Sequence, residues 1–151
     1  MPGSPSFTPQ LIGQTEKTLN VILERLLDSS DLSEHQWITL TLSAALTAEP
    51  GATIDRAQLA VRVAGALKVG ERAAQARITE LAAAELLDAG DGDRSSVKLT
   101  DRGKRLHGRL RAGVEEITAR LWGDLPAEDL DTAARVLSTV LDRADAELAH
   151  H

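Results

Sequence analysis

Two short amphipathic stretches on either side of a single glycine place the tightest limit on how this chain can fold. In the first stretch Leu59, Val63 and Leu67 recur at helical spacing, and Gly70 then interrupts the pattern. A second periodic run follows it, with an apolar stripe made of Ala74, Ile78, Leu81 and Ala82. Residues three or four positions apart share one face of an α-helix, and glycine is a strong breaker of that pattern. The segment therefore predicts a helix, a turn near residues 67–71 and a second helix.

Two capping boxes mark where helices begin. Asp55 followed by Gln58 predicts the start of the first of these two helices, and Ser33 followed by Gln36 predicts an earlier helix that runs to about Thr47. In a capping box the first side chain accepts a hydrogen bond from a first-turn amide, and the side chain three residues later accepts one from the backbone amide of the first. Hydrophobic staples are predicted beside both boxes, formed by Ile54 with Leu59 and by Leu32 with Trp37.

A β-hairpin is predicted after the second helix. Leu86-Leu87 and the alternating segment 96–99 flank Asp91-Gly92, a dipeptide that favours the positive φ values of a tight hairpin turn. Thr53-Ile54 is expected to add a third short strand, and Thr100 to cap the helix that follows. A helix-turn-helix followed by such a hairpin is the layout of a winged helix-turn-helix. We therefore predict a mainly α fold with a three-helix DNA-binding core and a β-hairpin wing.

Long apolar stripes outside this segment predict a dimerisation region. A helix from about residue 10 to residue 27 is apolar over more than half of its circumference, which indicates burial on two sides. After residue 100, two long amphipathic helices are separated only by Leu125-Pro126, and so short a link predicts that they pack antiparallel. Their apolar surface exceeds what one small winged domain covers, so a homodimer is expected. We assign residues 1–9 to a flexible arm, residues 10–31 and 104–149 to dimerisation helices, and residues 32–103 to the winged helix-turn-helix.

Composition excludes several classes of function. The 151 residues include no cysteine, which excludes disulfides, thiolate catalysis and cysteine-ligated zinc. Two of the four histidines, His150 and His151, lie at the C-terminus, as native residues or as the remnant of an expression tag. No apolar run reaches the length of a membrane span, and the first residues lack the features of a secretory signal. We expect a cytoplasmic protein without membrane contact.

The sequence offers no convincing catalytic or metal-binding arrangement. Ser33, His35 and Asp31 lie within five residues at one helix start, where they cannot assemble a nucleophile, a base and an orienting group. Three acids of the predicted wing have the spacing of a calcium loop that lacks its final glutamate: Asp88, Asp91 and Asp93. No glycine-rich phosphate loop is present either. We therefore expect no enzyme activity, no metal site and no cofactor.

The distribution of charge favours DNA although the net charge of -6 does not. Residues 1–54 carry two basic and six acidic side chains, residues 55–111 carry twelve basic and eight acidic, and residues 112–151 carry three basic and nine acidic. The predicted winged segment is thus the cationic part of the chain, at 12 − 8 = +4. Phosphate neutralisation by such residues supplies most non-specific DNA affinity. The alternative interpretation is an ordinary scatter of solvated charge.

Three short motifs resemble the MarR family of transcriptional regulators. The segment 99–103, L-T-D-R-G, is similar to the L-T-x-x-G signature that follows the wing in that family. The segment 32–37, L-S-E-H-Q-W, is similar to the start of one of its helices, and 125–130, L-P-A-E-D-L, to the link between its last two helices. The resemblance extends from about Leu11 to Leu148. It implies a dimeric regulator, usually a repressor, which a small anionic or phenolic effector or another signal releases from DNA.

The candidate DNA contacts lie on the second helix of the pair, its flanks and the wing. Arginine can make a bidentate contact to guanine and glutamine to adenine, so base contacts are predicted for Arg72, Gln75 and Ala76. The alternative for Arg72 and Gln75 is that they make no base contact and only lie on an exposed helix face that keeps the protein soluble. Phosphate contacts are expected from Lys68, Arg77, Arg56 and Arg62, and wing contacts from Arg94, which the resemblance places in the minor groove, and its neighbour Ser95. A two-fold axis would place two such helices in major grooves about 34 Å apart, which predicts a palindromic operator.

Acidic residues near these positions keep a second function open. Glu71 begins the second helix, and acids surround Arg94 in the wing, so both would repel phosphate. The alternative is an acidic winged-helix dimer that binds DNA weakly and acts as a protein-binding or ligand-binding module. The resemblance also implies an effector cleft between the dimer helices and the winged domain, for which the candidate residues are His35, Trp37, Arg109 and Arg111. A simpler role is open for two of them, with Trp37 in the core and His35 solvated.

Overall fold

A computed structural model describes residues 4–150, so Met1–Gly3 of the predicted arm and His151 lie outside the described residues. The elements are α1 (Pro9–Leu27), a 3-10 turn (Asp28–Ser30), α2 (Glu34–Leu46), β1 (Ile54–Asp55), α3 (Arg56–Leu67), α4 (Glu71–Ala83), β2 (Leu87–Ala89), β3 (Ser96–Leu99), α5 (Asp101–Trp122) and α6 (Ala127–Ala149). Helices dominate, and a small sheet is formed by one strand that precedes α3 and two strands that lie between α4 and α5. The predicted mainly α winged helix-turn-helix is confirmed.

The sheet is antiparallel, with β3 in the middle and β1 and β2 at its edges. Val97 of β3 pairs with Ile54 on one side and with Ala89 on the other, and its side chain is fully buried. The third strand predicted at Thr53-Ile54 forms one residue later, at Ile54–Asp55. Pairing on both sides of β3 ties the wing to the chain that leads into α3.

The wing differs from the predicted tight hairpin. Six residues, 90–95, connect β2 and β3, and within this loop the Ser95 amide donates to the Gly92 carbonyl at 2.9 Å. Asp91-Gly92 does not adopt positive φ, so that prediction is wrong. Among residues 4–150 positive φ occurs at Asp31, Gly51, Lys68 and Glu85. A longer loop closes by a turn further along the chain, so the left-handed backbone of a two-residue turn is not required.

The loop also explains why the predicted capping box at Asp55 is wrong. Asp55 precedes α3, yet its side chain makes no capping hydrogen bond. The amide of Arg56 donates instead to the Ser95 carbonyl, and the amide of Ala57 to the Asp93 carbonyl, each at 2.9 Å. A helix start leaves its first amides without partners inside the helix. Here the backbone of the wing accepts from them, so the wing itself caps α3.

The other predicted helix starts are confirmed. The Gln36 amide donates to Ser33 Oγ at 3.1 Å, and the Ser33 amide donates to Gln36 Oε1 at 3.0 Å, which completes the capping box of α2. Thr100 Oγ1 accepts from the Gly103 amide at 2.9 Å and donates to the Glu85 carbonyl at 2.6 Å. Thr100 therefore caps α5 and ties that helix to the end of α4.

The turn between α3 and α4 lies at residues 68–70, as predicted, but Gly70 is not the residue with unusual backbone geometry. Lys68 ends α3 with φ 58° in the left-handed region, and its amide donates to the Ala64 carbonyl. Gly70 has φ −73°, and a Cβ built there meets nothing within 4 Å. The lysine therefore carries the backbone strain of this turn.

Two apolar clusters hold the winged part together. The main one joins α2, α3, α4 and the sheet, with its largest fully buried apolar side chains being Leu40, Leu59, Ile78, Leu81, Val63 and Val97. The second consists of Leu27 from α1, Trp37 from α2 and Leu110 from α5. Trp37 is 8% exposed, which confirms its predicted place in the core. Leu32 packs against both clusters, as its predicted staple with Trp37 requires.

The chain divides between Val114 and Glu115 into two compact units. In the second unit α6 contains no buried residue, and only Leu130 is half-buried. The antiparallel packing expected of α6 against the preceding helix stays a prediction. The apolar stripe of α6 is left open to solvent, with Leu137 48% and Leu141 55% exposed. In residues 4–150 no helix is both long and apolar enough to cross a membrane.

Gly103 is expected to be essential for the junction of α5 with the wing. A Cβ at this position would overlap the backbone carbonyl oxygen of Leu86, whereas one at Gly108, also in α5, would meet nothing within 4 Å. We expect Gly103→Ala to lower the free energy of unfolding by about 1–3 kcal/mol, as overpacking does. Gly108→Ala should leave it unchanged or raise it by up to about 1 kcal/mol, because alanine favours helices. Urea unfolding of both variants is the measurement, and equal stability would contradict the close approach.

Candidate nucleic-acid interface

Helix α4 presents a face that the core does not cover. Its buried stripe consists of Ala74, Ile78 and Leu81, and the side chains roughly opposite include Arg72, Ala76 and Thr79. Arg72 and Thr79 are exposed and Ala76 is half-buried. Because the side chain of Ala76 is small, another molecule can approach the backbone of this helix closely at that position.

Arg72 keeps its guanidinium available on that face. Within residues 4–150 it makes no hydrogen bond or ion pair, and the neighbouring Glu71 is exposed without pairing with it. The Arg72 side chain therefore retains five N–H donors and a full positive charge at the start of α4. Its assignment as a base contact stays a prediction.

Arg56 has a different role from the predicted phosphate contact. Its side chain is only 6% exposed and donates four hydrogen bonds to the surrounding elements. Nε donates to Gln75 Oε1 at 2.6 Å, Nη2 to Thr79 Oγ1 at 2.7 Å and to the Gln75 carbonyl at 3.3 Å, and Nη1 to the Gly90 carbonyl at 3.1 Å. A buried guanidinium with these partners cannot reach a phosphate. We therefore correct the assignment: Arg56 joins α3, α4 and the wing.

Gln75 is affected by the same correction. A bidentate contact to adenine needs the amide oxygen as acceptor and the amide nitrogen as donor. In this structure Oε1 already accepts from Arg56, and the side chain is half-buried. The structure turns the amide oxygen of Gln75 toward Arg56, and the predicted base contact of Gln75 stays a prediction.

Arg77 likewise does not serve as an available cation. Its Nη2 donates a hydrogen bond to Glu80 Oε2 at 2.9 Å, and its Nε lies 2.8 Å from Glu80 Oε1 in the same ion pair. Gln36 of α2 donates through Nε2 to the same carboxylate at 2.9 Å. The hydrogen bond from Gln36, followed by the interaction with Arg77, lowers the pKa of Glu80 despite an opposing contribution from desolvation. The predicted phosphate contact is corrected to an ion pair that helps to join α4 to α2.

The remaining predicted contacts lie on the surface of the wing and of the α3–α4 turn. Arg94 is exposed in the loop 90–95, and Lys68 is exposed at the end of α3. Ser95 is half-buried. Its carbonyl accepts a hydrogen bond from the Arg56 amide, and its hydroxyl lies so close to Gly90 that a Cβ added there would be 2.7 Å away. Three acids surround Arg94 on the exposed wing, as the sequence indicated: Asp88, Asp91 and Asp93. Arg94 forms no ion pair with them in the part of the chain that the structure describes.

The predicted effector residues only partly come together. The Trp37 ring stacks on the imidazole of His107, with centroids 5.2 Å apart and planes inclined by 25°. The Nε2 atom of His35 instead lies 3.9 Å from Glu34 Oε1, and Arg109 is exposed on α5. His107 Nε2 is buried and makes no hydrogen bond. Burial, and secondly the charge of Arg111, lower the pKa of His107.

Sequence reasoning missed His107. The only signal in the sequence was its place one residue after Leu106 and one helical turn before Arg111, on a helix whose buried face was recognised. That signal does not tell a buried imidazole from a solvated one. Residues 4–150 contain no group of three or more acidic or histidine side chains placed to hold a metal ion.

Known structures share this fold. The Staphylococcus aureus MepR–DNA complex is 20% identical, with a TM-score of 0.73, covering 92% of this chain and 99% of that one. A MarR family transcriptional regulator from Silicibacter pomeroyi is 22% identical, with a TM-score of 0.73 and coverages of 94% and 95%. NadR in complex with 4-hydroxyphenylacetate is 21% identical, with a TM-score of 0.69 and coverages of 89% and 95%. No protein-family model and no curated protein sequence matches the chain. The chain therefore has the fold seen in MarR-family regulators.

Proposed function

We propose that this chain is a sequence-specific DNA-binding transcriptional regulator, a repressor that binds a palindromic operator as a homodimer and leaves it when a small molecule binds. The observation that carries the proposal is the unpaired, exposed Arg72 on the open face of α4, with Arg94 exposed on the wing of the same fold. We expect one cation to contact a base edge in the major groove and the other to enter the neighbouring minor groove. MepR, which shares the fold, has been solved in complex with DNA.

Charge supports the same proposal. The segment 55–111 carries twelve basic and eight acidic residues in a chain whose net charge is -6. Arg56 is buried without an acid and Arg77 is paired with Glu80, which leaves ten basic and seven acidic residues, a net charge of 10 − 7 = +3. We therefore expect modest non-specific affinity and a larger share of the binding energy from specific contacts.

A homodimer is supported by the apolar side chains that the single chain leaves open. On α6 they form one stripe, and on α1 Leu11 is 43% and Val21 49% exposed. Exposed apolar patches of this kind mark interaction surfaces in soluble proteins. Two copies related by a two-fold axis would present two α4 helices to one face of a duplex, which is why a palindromic target is proposed.

The effector is proposed to bind at Trp37 and His107. The stacked rings offer an aromatic platform, and the unpaired His107 Nε2 offers a polar atom to a ligand hydroxyl or carboxylate. Arg111, whose charge acts on His107, suits an anionic group. NadR, of the same fold, is solved with a phenolic acid. We therefore propose a small aromatic acid or phenol as the effector class.

A second function has one observation in its favour. Glu71 is exposed at the start of α4, and three exposed acids stand around Arg94 on the wing. These charges favour an acidic winged-helix dimer that binds a protein or a small ligand and binds DNA only weakly. The unpaired state of Arg72 favours the DNA-binding regulator over this alternative.

Removal of both surface arginines is expected to abolish operator binding. The double variant Arg72→Ala/Arg94→Ala should bind a DNA fragment from upstream of its own gene at least about 10-fold more weakly, since a good base contact is worth roughly 1–3 kcal/mol. Electrophoretic shifts at two salt concentrations with competitor DNA are the measurement, and Arg143→Ala on α6 is the matched control. Wild-type binding that competitor removes would favour the module, and an unchanged double variant would remove both arginines from the interface.

The dimer is expected to depend on the stripe of α6. Leu137→Glu/Leu141→Glu should convert the protein to monomers, because two carboxylates would be placed on a surface that the partner must desolvate. Ser138→Glu lies on another face of α6 and should leave the dimer intact. Light scattering across a dilution series gives the mass of each variant. A wild-type monomer at micromolar concentration would overturn the homodimer.

The tryptophan at the effector site provides a direct readout. In a Trp122→Phe background, Trp37 is the remaining tryptophan, and its fluorescence should be quenched saturably by hydroxyphenylacetate or salicylate. His107→Ala should weaken that binding about 10-fold, since it removes a hydrogen bond to a charged group. His35→Ala is the matched control and should bind as the parent does. Equal binding by the His107 variant would place the effector elsewhere.

A further inference from the structure

The orientation of the Gln75 side-chain amide is fixed by chemistry. Arg56 Nε lies 2.6 Å from Gln75 Oε1. A guanidinium has donors only, so the amide atom that faces it has to be the oxygen. The amide nitrogen of Gln75 consequently lies at the far side of the amide group, away from Arg56.

That nitrogen is available to a ligand. Within residues 4–150 Gln75 Nε2 makes no hydrogen bond, and it is not one of the buried polar atoms that lack a partner. Gln75 is half-buried and stands three residues after Arg72, on the side of α4 that Arg56 joins to the wing. The side chain therefore presents its two amide N–H donors away from Arg56, while its oxygen faces that buried guanidinium.

Arg56 cannot easily release the amide. Three of its other four N–H groups donate to the Thr79 hydroxyl and to the carbonyls of Gln75 and Gly90, and its side chain is buried. If Gln75 turned its oxygen toward DNA, Arg56 Nε would lose its partner in a site where water does not replace it. Leaving a buried charged donor unsatisfied carries a large penalty.

We propose that Arg56 is a specificity-determining positioning residue that makes Gln75 a donor-only reader, so that this position of the operator is guanine rather than adenine. The proposal rests on the proposed DNA-binding function. In the major groove guanine presents two acceptors, N7 and O6, whereas adenine presents N7 beside an N6 amino donor. Two N–H donors match the guanine edge. Against adenine, one of them meets the amino group, and the amide oxygen that would accept from that group is held by Arg56.

The test is a selection of bound sequences from random duplex DNA by the full-length wild-type protein and by Gln75→Ala. The base pair whose preference is lost in Gln75→Ala is the one that residue 75 reads. We expect guanine at that position in the wild-type motif, favoured over adenine by about 10-fold.

Gln75→Glu reverses the chemistry with little change in shape. One glutamate oxygen keeps the bond to Arg56, and the other replaces the outward donor by an acceptor. The preferred base at this position should therefore change from guanine to cytosine, whose N4 amino group is a donor. The added negative charge weakens binding to all sequences alike, and relative base preference does not respond to that uniform effect.

Arg56→Met tests the positioning role itself. When circular dichroism shows it folded, Gln75 is released and the preference should move toward adenine; an unchanged guanine in the folded variant would overturn the proposal. When this variant does not fold, the Gln75→Glu result decides. A wild-type motif with adenine at the position, or no change of base in Gln75→Glu, would overturn this inference alone. A wild-type protein that selects no sequence would overturn the proposed function and this inference together.

Discussion

The buried guanidinium of Arg56 is the interaction on which the geometry of the winged segment depends. The guanidinium donates to four neutral oxygens of α4 and of the wing. The backbone amide of Arg56 also donates to a carbonyl of the wing. A charge removed from water is tolerated only where hydrogen bonds replace its hydration. Together with the apolar core that joins these helices, this one side chain therefore fixes the position of α3 relative to α4 and to residues 90–95. Any displacement of the wing would leave part of this charge without a partner.

Periodicity and capping predicted the elements because both are local. The starts of α2 and α5 at Ser33 and Thr100 depend on partners within a few residues, and both were identified correctly. The capping role given to Asp55 failed because its helix is capped by a loop almost forty residues later. The tight turn predicted at Asp91-Gly92 failed because six residues, 90–95, separate β2 from β3, which is longer than a two-residue turn.

The functional residues were harder to predict, because a sequence does not tell an exposed cation from a buried one. The sequence alone does not distinguish Arg56, Arg72 and Arg77. Their roles differ because Arg56 and Arg77 have hydrogen-bond partners, which lie 3 to 34 residues away along the chain. Arg72 stays available since no acid in residues 4–150 pairs with it. His107 was missed for a related reason, as the Trp37 ring that covers it lies on a different helix. Long-range contacts therefore revised the predicted site far more than the predicted fold.

The sequence L-T-D-R-G, residues 99–103, forms the junction between β3 and α5, and three of its residues have separate structural roles there. Leu99 is buried under the sheet, Thr100 caps α5, and Gly103 permits α5 to lie against the Leu86 carbonyl. The Leu86 carbonyl also accepts from the Thr100 amide, so β2, β3 and α5 meet at one point without space for a side chain. With Arg56 at one side of the winged segment and this junction at the other, little freedom is left inside it. In the proposed homodimer, a signal at the proposed effector site of Trp37 and His107 would act on DNA binding by changing the distance between two such segments, not the shape of either one.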